Sequence, residues 1–227
     1  MPAHRPRVLT CAASSLVADV LPDAASWSEA VRTSVSVHYE TGDPAVPVVC
    51  VATPAAVLLP YAVVVPELPR DVVSLRVTRW WSPPRPTGLA APEASRWSPW
   101  ARSVGHDLRP MDLVGRGEGL TPAGDDVLAG ALVAAHAIGD PRLHDWRGAT
   151  RAALAGRRTT AVSVGMLHAA LDGWSSPALA DGLTALCGPD DPGPALERLL
   201  AVGHSSGRHL LDGVLHVLST HLRGVAA

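Results

Sequence analysis

The feature that most constrains the fold is a change of apolar rhythm part-way along the chain. Up to about residue 79 the apolar residues come in short β-branched runs at 46–52, 57–65 and 72–77, while Val35, Val37 and Tyr39 alternate with polar neighbours. Pro and Gly-Asp-Pro breakers recur at intervals of roughly eight to twelve residues, the punctuation of antiparallel strands. Short helices are expected before them, at 12–20 and 26–32. From Val114 onward the apolar residues are Ala and Leu at helical spacing, in stretches 127–138, 149–171, 177–186, 195–202 and 210–222; in the last, Leu211, Val214, Leu215, Leu218 and Leu222 share one face. Strands first and helices afterwards predict an α+β chain: an N-terminal antiparallel β lobe, a small sheet or partial barrel, followed by a C-terminal helical lobe. The expected division is 1–82 for the β-rich lobe, 83–113 for a connecting segment and 114–227 for the helical lobe. Around the connection, Trp80, Trp81, Trp97 and Trp100 and six prolines fall within 80–110. These Trp residues suit the seam between two lobes, with a stacking platform as the alternative.

Composition removes several classes of function. The chain has 227 residues, 47% hydrophobic and 18% charged, enough apolar material for a compact core and against disorder. A net charge of -2 leaves no global basic field, so neither a nucleic acid nor an anionic membrane is an expected partner. All 19 basic residues are Arg. Without Lys there is no Schiff base, no anchored pyridoxal phosphate and no P-loop Lys. The absence of Lys and Phe together fits a GC-rich bacterial genome. Cys11, Cys50 and Cys187 lie far apart in apolar runs, which reads as buried free thiols in a reducing cytoplasm. The run 12–21 is interrupted by Ser14, Ser15 and Asp19, so no signal peptide or membrane span is expected.

The chemistry-bearing residues stand at the openings of two helices. The first opening, Gly115-Arg116-Gly117-Glu118-Gly119-Leu120-Thr121-Pro122-Ala123-Gly124-Asp125-Asp126, alternates glycines that free the backbone for positive φ and for close approach of a ligand. Thr121-Pro122 reads as an N-cap and first turn, so the helix is expected to start at Thr121. Asp125 and Asp126 in its first turn complement the helix dipole. Gly124 inside that turn costs about 1 kcal/mol relative to Ala, and such broken local rules gathered at one place mark a functional site. The second opening, Gly203-His204-Ser205-Ser206-Gly207-Arg208-His209, echoes the first when one gap is left at Pro122. Gly203 then matches Gly119, Ser205 matches Thr121, Gly207 matches Gly124, Leu211 matches Leu128 and Gly213 matches Gly130. Two such openings facing each other would make paired sites for phosphate or carboxylate.

Residues 117–130, Gly-Glu-Gly-Leu-Thr-Pro-Ala-Gly-Asp-Asp-Val-Leu-Ala-Gly, and 203–207, Gly-His-Ser-Ser-Gly, resemble the two signature stretches of the AllH family, and 158–163 is similar to a family helix. The resemblance implies a subunit of a bacterial oxamate carbamoyltransferase, working beside FdrA-like and AllG-like subunits in purine and allantoin nitrogen catabolism. Carbamoyl phosphate, oxamate or oxalurate would be the class of small anionic substrate. On that reading Gly117, Gly119 and Thr121, with Gly124, hold one anion, and Ser205, Ser206 and Gly207 hold the other. Arg116 or Arg208 clamps a carboxylate. His204 shuttles a proton, and Asp125 and Asp126 accept an N–H from a substrate amide.

Other readings compete. The chain could be a non-catalytic anion-binding or scaffold subunit. It could also be a stand-alone enzyme on a phosphorylated or carboxylated metabolite, with Mg²⁺ held between the two carboxylates and substrate oxygens; no cofactor is otherwise required. His209, Asp212 and His216 fall on one helical face at metal-ligand spacing, but that face lies opposite the leucine stripe and suits solvent better. Thus no metal ligand is assigned.

Overall fold

A computed structural model describes residues 8–70, 74–101, 108–156 and 159–225, with side chains described as far as His221. The chain divides into two compact units, Met1–Pro83 and Pro84–Ala227. The first holds six strands: β1 Val8–Ser14, β2 Ser28–Arg32, β3 Ser36–Glu40, β4 Val48–Ala52, β5 Ala62–Val64 and β6 Ser74–Trp81. They form one open sheet in the order β2-β3-β4-β5-β1-β6. Every residue of β4 is buried, as is all of β3 except Glu40. The near-continuous run Val48-Val49-Cys50-Val51-Ala52 is what a strand covered on both faces requires.

The α+β expectation holds, and one detail of the sheet corrects it. The sheet is mixed: β2–β3, β3–β4 and β1–β5 pair antiparallel, but β4–β5 and β1–β6 pair parallel. It is not closed into a barrel, so of the two expected forms the small sheet is the one present. Prolines such as Pro54 and Pro60 mark a break in a strand equally well whether the chain turns back or crosses over, so punctuation alone could not set strand direction. The helix expected at 12–20 is instead β1 followed by a short 3₁₀ turn, Ser15–Val17, capped by Ser14. The stretch 26–32 contributes β2, an edge strand pairing with β3. Alternating burial of Leu9, Cys11 and Ala13 explains β1.

The second unit holds α1 Pro110–Leu113, α2 Ala123–Ile138, α3 Leu143–Gly156, α4 Ala161–Leu171, α5 Pro177–Cys187, α6 Gly193–Leu200 and α7 Ser206–Val225. The helix expected across 149–171 is two helices, because Gly156 ends the first and Thr160 caps the second by accepting the Ser163 N–H at 3.1 Å. Helix α2 is central. Only Ala123, Val127, His136 and Ile138 along it escape full burial, as expected of a helix apolar all round. Leu128 and Leu132 of α2 share one core with Leu167 and Leu171 of α4, Leu183 and Leu186 of α5, Leu196 and Leu199 of α6, and Leu211 and Leu218 of α7. Trp97 and Trp100 pack against this core as well. Arg96 donates to the carbonyls of Ala185, Leu186, Pro189 and Asp190 at the end of α5. The Pro- and Trp-rich segment is thereby tied into the helical unit. Among the described residues no helix is long and apolar enough to cross a membrane.

Candidate functional site at three helix openings

The echo between the two glycine-rich openings is first of all a packing code. A Cβ on Gly130 would sit 2.0 Å from the Leu210 carbonyl oxygen, and one on Gly213 would sit 2.0 Å from that of Val127. Under the sequence match Gly130 corresponds to Gly213 and Val127 to Leu210, so α2 and α7 use the same contact in both directions. The second matched pair behaves alike: a Cβ on Gly124 would meet the Leu113 carbonyl oxygen at 2.2 Å, and one on Gly207 that of Leu199 at 1.9 Å. Each opening therefore rests on the end of the preceding helix, α1 or α6. Only glycine permits such backbone-to-backbone approach.

This packing brings the openings together. Thr121 Oγ1 and Ser206 Oγ lie 2.6 Å apart. The two helices start side by side and run on in the same sense, with Gly130 against Leu210, so their positive dipole ends adjoin. The start of α4 joins them. Thr160 Oγ1 donates to the Leu120 carbonyl at 2.5 Å, and Thr159 Oγ1 donates to Asp125 Oδ2 at 2.5 Å. Thr159 and Thr160 were assigned no role from sequence. Their signal was a pair of hydroxyls directly before an Ala-rich helix, inside the stretch 158–163; Arg158 itself lies outside the described residues.

The structure distinguishes the two acids. Asp125 is fully buried, and both its oxygens are engaged, Oδ1 accepting the Gly115 N–H at 2.8 Å and Oδ2 the Thr159 hydroxyl. It ties the glycine loop to α2 and α4. Asp126 is equally buried, yet neither of its oxygens has a hydrogen-bond partner. Burial pushes its carboxyl up to about 7; the neighbouring hydroxyls of Ser206 and Thr121 pull it down, and Asp125 pushes it up further. Among the described residues no group of three or more His, Cys, Asp or Glu side chains could hold a metal ion.

The remaining residues sort by what they touch. Gly115, Gly117 and Gly119 have φ of 71°, 120° and 90°, so the loop needs its glycines. A Cβ on Gly117 would also lie 2.7 Å from the Ala123 nitrogen. Among the described residues the N–H groups of Gly117, Glu118 and Gly119 reach no protein acceptor. The N–H of Gly124 donates to the Arg116 carbonyl at 2.8 Å, and that of Gly207 to Val202 at 3.0 Å, so these two amides are engaged within the protein. Thr121 does not cap α2: Pro122 occupies the cap position, and the Thr121 hydroxyl is turned to Ser206. His204, Ser205 and Arg116 are exposed. Arg208 pairs with Asp212 at 2.6 Å and donates to the Trp100 carbonyl at 2.9 Å, which holds it in the fold.

Residues 113–218, from the end of α1 through most of α7, match the family described as oxamate carbamoyltransferase subunit AllH. Over this stretch, just under half of its length, the chain is similar to the AllH family. The resemblance seen in the two glycine-rich stretches is borne out, and the matched AllH region contains every residue of the three helix openings. The six-stranded sheet lies outside it. No solved structure matches the chain.

Proposed function

We propose that the chain acts as an AllH-type subunit of a carbamoyltransferase, transferring a carbamoyl group between phosphate and the nitrogen of oxamate. In the degradative direction a phosphate oxygen attacks the carbamoyl carbon of oxalurate. The bond from that carbon to the oxamate nitrogen breaks, and the nitrogen takes a proton. Phosphate and oxalurate are both anions, and the tetrahedral intermediate carries an oxyanion, so the reaction calls for fixed donors in a confined space. The observation that carries this reading is the 2.6 Å approach of Thr121 and Ser206, which sets two amide-rich helix openings side by side.

In this scheme the free amides of Gly117 and Gly119, with Thr121, hold one anion; Ser205 and Ser206 hold the other. His204, exposed on the second opening, supplies the proton to the leaving nitrogen, and Arg116 neutralises a substrate carboxylate. Asp125 shapes the loop from behind. FdrA-like and AllG-like subunits complete the enzyme.

The test is phosphorolysis of oxalurate by the chain mixed with those two subunits, followed as carbamoyl phosphate formed. Thr121→Val is expected to lower turnover by about 10²–10³-fold, the usual loss of one preorganised donor, with assembly unchanged. A variant as active as wild type removes the first opening from the site.

A further inference from the structure

Asp126 is the unexplained group of the helical unit: a carboxylate wholly out of solvent, without a bonded partner, behind a pair of hydroxyls that bond to each other. We propose that Asp126, Ser206 and Thr121 form a proton relay, so that the site takes up one proton from solvent each time it binds an anion. This rests on the anion-binding reading above and adds what that reading lacks, the source of an outward-pointing donor.

The argument is a count of protons. At 2.6 Å the two hydroxyl oxygens need a proton between them, and either can supply it. When Asp126 is ionised, the second hydroxyl proton turns inward to the carboxylate. Both protons are then engaged internally, and the pair faces outward with lone pairs alone, which repel an anion. A third proton on Asp126 reverses the chain: the carboxyl donates to one hydroxyl, that hydroxyl to the other, and the last points outward as a donor. Thr121 and Ser206 are half-buried, so the chain itself is a path from solvent to the sealed carboxyl.

The surroundings favour the uptake. The charged group acting on Asp126 is its neighbour Asp125, which opposes a second negative charge. The first turns of α4 and α7 carry no acid. Arg208 on α7 is held by Asp212 and the Trp100 carbonyl, and His209 follows it on the same turn. Burial raises the Asp126 carboxyl to about 7, so near neutrality the protonated form is within reach.

Calorimetric titration of the full chain with oxamate tests this, since oxamate stays ionised and any proton taken up belongs to the protein. At about pH 8.5, in two buffers of different ionisation enthalpy, uptake is expected to approach one proton per oxamate, and affinity to fall about tenfold per pH unit above that point. Asp126→Asn carries a permanent N–H donor in place of the acid. It is expected to bind oxamate with no uptake and no slope. Binding by wild type without proton uptake overturns the relay and leaves the anion site standing, and so does uptake that persists in Asp126→Asn. No oxamate binding at any pH overturns the anion site and the relay with it. If the variant fails to fold, His204→Gln takes its place: uptake retained in it leaves the proton with the buried carboxyl, and uptake lost in it overturns the relay.

Discussion

At the residue scale, two buried acids with opposite environments set the pH behaviour of the helical unit. Asp126 has its carboxyl raised from 3.8 to about 7, chiefly by burial, so the native state prefers it protonated. Its favourable contribution is present at acid pH and is lost as pH climbs through that raised value. Asp140 is the reverse. Burial alone would raise it, but the Arg142 side chain and amide and His221 together bring it down to about 2, so its contribution is lost as pH falls through that lowered value. Denaturant unfolding of wild type is therefore expected to lose stability between about pH 4 and pH 7, at up to about 1.4 kcal/mol per unit. Asp126→Asn should abolish that fall while keeping the acid limb that Asp140 produces. Equal slopes in both proteins would mean that Asp126 titrates as an ordinary carboxylate. The sequence identified the Asp125-Asp126 pair as unusual but gave both one role. Only the fold shows that Gly115 and Thr159 bond to one while the other has just the Thr121 and Ser206 hydroxyls beside it, because the partners of Asp125 lie ten and thirty-four positions away.

At the element scale, α2 and α7 are held by glycines whose value is steric. Gly130→Ala and Gly213→Ala each push a methyl group into a carbonyl oxygen of the facing helix. Each is expected to lower stability by about 1–3 kcal/mol or more, the range for forcing extra volume into a packed core. Gly148 in α3 has open space around it, and Gly148→Ala should raise stability by about 1 kcal/mol. Thermal melts of the three variants check this, and a uniform gain would show that helix propensity outweighs the α2–α7 contact. The echo of Gly124 and Gly130 in Gly207 and Gly213 was legible in the sequence, as were most helices. That its first product is close packing was not, since spacing alone cannot separate a glycine kept for a ligand from one kept for a neighbouring helix. The strand runs were legible for the same periodic reasons, yet β2 was read as a helix and β1 was missed, its end at 12–14 being given to a helix. Alternating burial in Leu9, Cys11 and Ala13 is hard to see when two of the three buried residues are small, and β2 is largely exposed, with no apolar stripe.

At the scale of the whole molecule, the AllH match spans 113–218 and lies within the helical unit, while the mixed sheet precedes it. The central claim is that two openings more than eighty positions apart in sequence make one anion site. Backbone N–H chemical shifts of Gly117, Gly119, Ser205 and Ser206, followed by NMR during titration with inorganic phosphate, test it most directly. The account predicts that both openings move together, along one binding curve, while Gly124 and Gly207, whose amides are engaged by Arg116 and Val202, respond less. Movement confined to one opening, or two curves of different affinity, would contradict it.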